Sequence, residues 1–241
     1  MTSILLPASG RRACERLLAA ASIVACLAGC ATAPKSGMPT LLGQSDKADR
    51  DRERYGPTAE QRMKELAADA KEAKGTGPER QAEFTNRLAT EMLAEHDPRV
   101  RCAILDTVAP FDTPAATAIC KGALEDPESR VRMQACSAWA VRGGEEAVQL
   151  LANRYRTDTE LDVRLRALRE LGQLGDKAAV PILAKALEDS DPAVQYRAVA
   201  ALKQVSGRDL GNDVNRWREW AADPEGSGAA WTIAEGVRSL F

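Results

Sequence analysis

Cys30 is the residue most suited to chemical modification, because it ends a basic and then apolar segment at the start of the chain. Arg11, Arg12 and Arg16 precede the mostly apolar run 17–29. A basic stretch, an apolar run too short to span a bilayer and small residues at its end are typical of a secretory signal. Cleavage directly before Cys30 would leave its thiol and a new amino group on the first residue of the mature chain.

The order Leu27-Ala28-Gly29-Cys30 resembles the lipobox of bacterial lipoproteins. In that family the cysteine sulfur carries diacylglycerol and the amino group usually carries a further acyl chain, so the resemblance implies lipidation of Cys30 with fatty acids such as palmitate. Each buried methylene contributes roughly 0.8 kcal/mol and two chains already anchor a protein stably, so three would hold it on a membrane. Ala31 stands where inner-membrane retention usually shows Asp, and the resemblance therefore implies the outer membrane, facing the periplasm.

Two other interpretations of this segment stay open. An ordinary cleaved signal would leave Cys30 unmodified. The Arg11-Arg12 pair suggests twin-arginine export, although no Phe-Leu follows it. All three interpretations place the rest of the chain outside the cytoplasm.

The charge of the exported chain excludes one class of partner. Loss of residues 1–29 removes three arginines and Glu15 from the 33 basic and 35 acidic residues, which leaves 30 and 34. The mature chain then has a net charge near −4. Broad nucleic-acid binding needs a strongly basic face, so we expect no nucleic-acid partner.

Few side chains offer catalytic chemistry. His96 is the single histidine and precedes Asp97 at a predicted helix boundary, so we expect a loop or capping role for it. Histidine-rich metal motifs are therefore excluded, and Gly75-Thr76-Gly77 lacks the Lys-Ser/Thr of a phosphate loop. The sequence predicts no metal, no cofactor and no enzyme activity.

Three cysteines remain after the signal and Cys30: Cys102, Cys120 and Cys136. An oxidising compartment permits one disulfide and one buried thiol. Buried thiols throughout are the alternative, because each cysteine aligns with apolar residues in the repeats described below. A reactive thiol needs a basic, partly exposed setting, and Cys102 beside Arg101 is the candidate for one.

Composition and helical spacing divide the chain into five segments. Residues 31–57 are rich in Pro, Gly, Ser and charge, which predicts a disordered tether with a reach of roughly 30 Å. Apolar residues then follow helical spacing at Met63, Leu66, Ala67 and Ala70, and again at Phe84, Leu88 and Met92. The predicted segments are 1–29 (signal peptide), 30–57 (lipidated cysteine and tether), 58–78 (helix and turn), 79–206 (repeat domain) and 207–241 (C-terminal cap).

A repeat dominates the chain after His96. The segments DPRVRCAILDTV, ESRVRMQACSAW, ELDVRLRALREL and DPAVQYRAVAAL share one pattern, with valines at 100, 131, 163 and 194. A period of 31 or 32 residues is typical of helical solenoids. Residues four and eight positions after each valine are apolar and would lie on one helix face. Asp97-Pro98, Thr113-Pro114 and Asp191-Pro192 are typical helix starts.

These segments resemble HEAT repeats of the short, PBS-lyase type with an Asp-Pro-x-Val-Arg signature. The resemblance implies an all-α fold, an α-solenoid of about four helical-hairpin repeats over residues 79–206. Gln195 departs from the signature arginine. Trp217 and Trp220 would cover the open end of the last repeat, and Trp231, Ile233, Val237 and Leu240 suggest one more short helix.

The signature arginines Arg101, Arg132 and Arg164 have two interpretations. Because they recur at one height in the stack, they could form a ladder that binds anions. In HEAT-like stacks this arginine usually pairs with acids of neighbouring repeats, and Asp97 and Glu128 lie near in sequence. We therefore interpret these arginines as structural.

The candidate binding surface lies on the second helix of each repeat, which the resemblance places on the concave side. Positions three and six after each valine form a polar arc. The arc consists of Ala103 and Asp106, Gln134 and Ser137, Arg166 and Arg169, and Arg197 and Ala200. Its candidate partner-binding residues are Gln134, Arg166, Arg169 and Arg197, which would favour an acidic partner, although Glu170 lowers the local charge. A merely solvated face is the alternative.

These features predict a lipid-anchored scaffold that binds another protein of the bacterial cell envelope in a preformed groove. Two alternatives remain. Some proteins with this short repeat are bilin lyases, which would need a reactive Cys102 and act on cytoplasmic substrates. A structural tether between membrane and cell wall is the other, although no peptidoglycan-binding pattern is visible.

Overall fold

The computed structural model describes residues 49–224, in which the regular elements are helices joined by loops and no strand occurs. The predicted signal peptide, Cys30, residues 31–48 and the helix suggested around residues 231–240 lie outside the described residues. No helix of the described part is long and apolar enough to cross a membrane.

The α-helices alternate along the chain with short loops. Two single turns of 3-10 helix, Ala123–Glu125 and Lys177–Ala179, lie among them. After the helical residues 49–55, the α-helices in chain order are α1 (Ala59–Lys74), α2 (Pro78–Ala94), α3 (Pro98–Val108), α4 (Pro114–Gly122), α5 (Ser129–Arg142), α6 (Gly144–Thr157), α7 (Leu161–Leu174), α8 (Val180–Ala186), α9 (Pro192–Ser206) and α10 (Val214–Ala222).

Helix starts follow the predicted acid-proline and threonine-proline pairs. The carboxylate of Asp97 accepts the backbone N–H of Arg99 at 2.8 Å, and Asp191 caps α9 in the same way. Thr113 accepts the N–H of Ala116 at 3.2 Å. The proline at the first helical position has no N–H to leave unsatisfied, so each pair favours a helix that begins there.

The helices form two layers. The odd-numbered helices pack successively against one another, α1 on α3, α3 on α5, α5 on α7 and α7 on α9, and we call this the inner layer. The even-numbered helices form the outer layer, in which α2 packs on α4 and α8 on α10. Four hairpins result, from α2–α3 to α8–α9, with α1 added to the inner layer and α10 to the outer. This is the predicted α-solenoid.

The core lies between the layers and follows the repeat. The four valines at 100, 131, 163 and 194 are buried, as are the residues four and eight positions later. Burying one Val or Leu side chain stabilises the fold by about 1.5–3 kcal/mol, and these side chains together hold the two layers against each other.

At the C-terminal end α10 covers the last hairpin. Trp217 is fully buried and Trp220 nearly so, and their rings meet edge-on with centroids 5.6 Å apart. The indole N–H of Trp217 donates to the carbonyl of Gly211 at 2.9 Å. Both tryptophans lie where the sequence predicted a cap.

The structure corrects the predicted tether at its C-terminal end. Residues 49–55 form a helix, whereas their composition predicted that they belong to the disordered tether of residues 31–57. Opposite charges three residues apart, such as Asp51 and Arg54, favour a helix here despite the lack of apolar residues. Arg52 also donates to Glu65 on α1 at 2.6 Å and holds this segment against the fold.

Gly172 allows α7 and α9 to approach closely. A Cβ placed on it would lie 2.8 Å from Cα and 2.8 Å from Cβ of Ala201. These contacts are shorter than real Cβ atoms show, so α7 or α9 would have to shift. Glycine at this position is therefore a packing requirement of the inner layer.

We expect Gly172→Ala to lower the free energy of unfolding by about 1–3 kcal/mol, because the added methyl overpacks the α7–α9 contact. Urea denaturation of the full chain, followed by circular dichroism, measures this change. Gly122→Ala is the matched control, since a Cβ there meets nothing within 4 Å and the residue is helical. The control should be neutral or stabilising by up to about 1 kcal/mol. An equal change in the free energy of unfolding for Gly172→Ala and Gly122→Ala would contradict the packing argument.

Candidate functional site

The three signature arginines pair with an aspartate of the following repeat. Arg132 makes two parallel bonds to Asp158, from Nε at 2.8 Å and from an Nη at 2.9 Å. Arg101 binds Asp126 in the same bidentate way, with both distances at 2.9 Å. Arg164 donates to Asp189 at 2.5 Å. Bidentate pairing gives direction as well as strength, so the Arg132 and Arg101 pairs each fix one hairpin relative to the next, while Arg164 makes a single bond across the same step.

Arg132 and Arg101 also bind their own loops, whereas Arg164 donates to the carbonyl of Tyr155 near the end of α6 at 3.3 Å. The second Nη of Arg132 donates to the carbonyls of Asp126 and Pro127, at 2.9 and 3.1 Å. One Nη of Arg101 likewise donates to the carbonyls of Glu95 and His96, both at 3.1 Å. The guanidinium therefore joins the loop before its own inner-layer helix to the equivalent loop of the next repeat.

The aspartates in turn hold the start of the next inner-layer helix. Asp158 accepts the backbone N–H of Glu160 at 3.0 Å, directly before α7. Asp126 accepts the backbone N–H of Glu128 at 2.9 Å, and Asp189 accepts the backbone N–H of Asp191 at 3.0 Å. We call this periodic set of pairs the arginine–aspartate ladder.

The ladder has one further rung, between Arg62 and Glu95, that the sequence did not predict. At its other end the ladder stops at Gln195. Arg62 on α1 pairs with Glu95, the residue equivalent to the aspartates. Gln195, in the arginine position of the last repeat, donates to the carbonyl of Asp189 at 2.7 Å. The residue 25 positions later is Trp220 of the cap, so no aspartate stands where an arginine would need one.

The predicted acid partners of the arginines were wrong. Asp97 caps α3 and pairs with Arg99 at 2.7 Å, so it lies on the same helix start and does not bridge repeats. The backbone N–H of Glu128 donates to Asp126, and it is the carboxylate of Asp126 that binds Arg101. The structural role of the arginines agrees with the prediction, whereas the partners lie 25 or 26 residues along the chain.

Asp158 is the most enclosed acid of the ladder. Its side chain is 1% exposed and also accepts from Arg154 at 3.1 Å. Burial alone would raise the pKa of Asp158, but hydrogen bonds from Arg132, the Glu160 amide and Arg154 together hold it below its ordinary value. The pKa of Asp189 is also lowered, first by the bond from the Asp191 amide.

The lowered pKa of Asp158 makes stability depend on pH. A carboxylate with a depressed pKa stabilises the fold above its unfolded value of about 3.9, and this contribution is lost as the pH falls through the folded value. We expect Asp158→Asn to lower the free energy of unfolding at pH 7 by about 3 kcal/mol, because Arg132 loses its carboxylate partner and Arg154 keeps only Glu125. The variant should also lose less stability than the wild type between about pH 5 and pH 2.

Urea unfolding at several pH values measures both effects. Asp69→Asn is the matched control, because Asp69 pairs with Arg87 at 2.7 Å on the surface, with side chains 44% and 52% exposed. An exposed pair contributes about 0–1 kcal/mol, so the control should keep the pH dependence of the wild type. Parallel pH curves for Asp158→Asn and the wild type would refute the argument.

The predicted binding arc lies on the inner layer, but its two halves differ. In the first half Gln134 donates to Asp106 of the preceding repeat and so belongs to an internal contact. Ser137 donates to Glu170 at 3.0 Å. The polar groups of α5 are therefore largely paired with neighbouring helices.

The second half of the arc carries excess positive charge. Arg166 makes only long contacts, to Ser137 at 3.3 Å and to the 4% exposed carboxylate of Glu170 at 3.5 Å. Arg169 is exposed. Arg197 on α9 is half-buried, and its Nε has no hydrogen-bond partner. Two consecutive repeats thus bring three arginines to one end of the inner layer; we call them the basic cluster.

The thiols of the three described cysteines, Cys102, Cys120 and Cys136, are unpaired and poorly activated. Burial raises the pKa of Cys120 to about 11 and that of Cys136 to about 12. Cys102 is half-buried, its thiol lies 3.8 Å from the carbonyl of Arg130, and burial raises its pKa despite the nearby arginines. These positions are those of packed apolar residues between repeats.

Metal ligands do not converge in the described part of the chain, where no group of three His, Cys, Asp or Glu residues could hold an ion. His96 lies exposed in the loop before α3, and its carbonyl accepts from Arg101. The exposed side chain of His96 and its place in the loop before α3 suit a loop role.

Comparison with protein families agrees with this geometry. The family profile of HEAT repeats matches residues 85–164 and 153–224. Among curated proteins, none matches the chain. The matched residues span α3 to α10 and most of α2, more than half of the sequence. This chain is therefore a member of the HEAT repeat family.

Proposed function

We propose that this protein is a lipid-anchored scaffold of the bacterial cell envelope that binds an acidic segment of a partner protein on its inner layer. HEAT repeats indicate a protein-interaction scaffold. The basic cluster of Arg166, Arg169 and Arg197 is the observation that supports the partner's chemistry. Opposite charge across an interface steers association and selects the partner.

The hydrogen bonds of the basic cluster favour a ligand at this end of the layer. Arg197 has a buried Nε without a partner, and a buried donor left unsatisfied costs about 1–3 kcal/mol. Arg166 holds its nearest carboxylate at 3.5 Å, which is a weak contact. A carboxylate from a partner would supply Arg166 with a closer acceptor than Glu170.

An aromatic side chain lies next to the cluster in sequence. Tyr196 is 63% exposed on α9, directly before Arg197. Tyrosine and arginine are the residues most often responsible for binding energy at protein interfaces, because they combine large contact area with directed hydrogen bonds. The proposed partner segment therefore carries an apolar or aromatic residue beside its acids.

The anchor part of the proposal is supported by the sequence alone. Cys30 follows Leu27-Ala28-Gly29, and the folded repeats begin only after residue 57. Residues 31–48, followed by the helical residues 49–55, would separate the lipid from α1. The partner would then bind at the periplasmic surface of the outer membrane.

The enzyme alternative gains no support from the thiols. A lyase-like reaction would need a Cys102 thiolate at neutral pH, whereas burial raises the pKa of this thiol. The absence of enzyme activity stays a prediction. A purely structural tether also stays an alternative, and the partner experiment below separates it from the scaffold.

We expect Cys30→Ser to abolish incorporation of labelled palmitate into the protein, because the thiol that would carry the lipid is gone. Metabolic labelling in the native host, followed by immunoprecipitation, measures this. Cys26→Ser is the matched control, since Cys26 lies inside the apolar segment and should leave labelling unchanged. Persistent labelling of Cys30→Ser would show that the anchor is assigned to the wrong residue.

We expect replacement of Arg166, Arg169 and Arg197 by glutamine to remove a discrete partner from crosslinks formed in the intact envelope. Electrostatic steering and charge-assisted bonds would both be lost, so capture should fall by about tenfold or more. Crosslinking with mass spectrometry of the anchored full chain measures this.

The matched control replaces three outer-layer arginines, Arg80, Arg156 and Arg216, by glutamine, which changes the net charge equally. The single variant Arg169→Glu, at an exposed position, separates loss of binding from loss of folding. A partner lost equally in both triple variants would contradict the inner-layer site. A protein without any discrete partner would support the structural tether instead.

A further inference from the structure

Each step between neighbouring repeat helices of the inner layer brings the same two polar positions together. They are the sixth position after the repeat valine in one helix and the third in the next. Between α3 and α5 the carboxylate of Asp106 accepts from Gln134. Between α5 and α7 the hydroxyl of Ser137 accepts from Arg166 at 3.3 Å. The equivalent residues between α7 and α9 are Arg169 and Arg197.

The first two of these steps each contain a carboxylate. Between α3 and α5 it is that of Asp106, which belongs to the pair itself. Between α5 and α7 it is that of Glu170, seven positions after the valine of α7. Glu170 accepts from Ser137 at 3.0 Å and lies 3.5 Å from Arg166. The polar groups at both steps therefore have an acidic acceptor from the chain itself.

Neither α7 nor α9 places a carboxylate at the step between them. Ala201 occupies the seventh position in α9, where α7 has Glu170, and it is 1% exposed. Residues 192–206, which form α9, contain no Asp or Glu. Asp162, the other acid of α7, lies seven residues before Arg169, about 10 Å along the helix. Two positive charges therefore stand at a step to which its own helices bring no acid.

The hydrogen bonds of these two arginines are incomplete. The Nε of Arg197 is enclosed and has no partner. The Nε of Arg169 donates to the amide oxygen of Gln173 at 3.3 Å, in the amide orientation that satisfies both groups of Gln173. Gln173 is neutral, so this bond leaves the charge of Arg169 uncompensated. Gly172 lets α7 approach Ala201 of α9 closely, so the two arginines extend from helices in tight contact.

We propose that Arg169 and Arg197 together bind one carboxylate of the partner segment, as Glu170 serves the preceding step from within the chain. This anchor rests on the proposed function and names the group that the partner must bring, an Asp or Glu side chain held between two guanidinium groups. Arginine suits this contact because its planar fork matches the geometry of a carboxylate. Arg166, which already contacts Glu170, adds attraction but is not part of the anchor.

The first test supplies the acid from within the chain. Arg169→Glu places a carboxylate at the position that Asp106 occupies two steps earlier, and residue 169 is exposed, so the change needs no repacking. Pairing with Arg197 should raise the melting temperature of the purified full chain by about 2–4 °C.

The matched control repeats this change in an Arg197→Gln background, where it should give no gain. Arg166, one turn from residue 169, is present in both backgrounds, so any pairing of it with the new carboxylate cancels in the comparison. A gain that persists in the Arg197→Gln background, or no gain in the wild-type background, would overturn the proposal.

The second test supplies the acid from outside. Calorimetric titration of a hexaglutamate peptide into the purified full chain measures a Kd, which Arg169→Glu and Arg197→Gln should each raise by about tenfold or more. Hexaglutamine is the matched control peptide, and inorganic phosphate separates a carboxylate site from a general anion site. Hexaglutamate binding that neither variant weakens, binding of phosphate but not of hexaglutamate, or no binding at all would overturn the assignment.

The titration needs no captured partner, so failure of this anchor differs from failure of the proposed scaffold. An envelope partner that Arg169→Glu retains would overturn the anchor and leave the scaffold intact. Hexaglutamate binding that both variants weaken, together with no discrete partner in the envelope, would support the anchor and overturn the scaffold.

Discussion

The bidentate bond between the arginine of one repeat and the aspartate of the next is the constraint on which the stack depends. Apolar burial holds the two layers together but is non-directional, so it tolerates sliding of one hairpin over another. The pair of Arg132 and Asp158 does not tolerate it, because both guanidinium bonds and the bond to the Glu160 amide require one position. Each rung therefore sets the register of the next inner-layer helix.

A periodic bond of this kind needs special ends, and the chain has them. Arg62 and Glu95 extend the ladder to α1, which would otherwise be an unrelated preceding helix. At the other end Gln195 replaces arginine and binds only its own loop, where the neighbouring element is the tryptophan cap. A charged arginine there would be left without the acid that its burial requires. The departure from the signature is thus a consequence of position in the stack.

The repeats and their core were predictable from sequence because they depend on local spacing. The valine of each repeat and the residues four and eight later share a helix face, and this needs no knowledge of neighbours. The rungs depend on contacts across about 25 residues. Proximity in sequence therefore favours Asp97 as the partner of Arg101, whereas Asp97 caps α3 and the partner in the structure is Asp126. The helical residues 49–55 were missed because their support comes from charge pairs and one contact to Glu65 rather than from apolar periodicity.

The polar arc was the least predictable feature, since residues of equal type and spacing have different surroundings. Gln134 and Arg166 occupy the same position in consecutive repeats, yet Gln134 is bonded to Asp106 while Arg166 has only weak contacts. The α5 part of the inner layer satisfies its own polar groups and the α7–α9 part does not. Under the proposed function, the α7–α9 pair is the preferred binding position of the scaffold, because it leaves its charges for another molecule to neutralise.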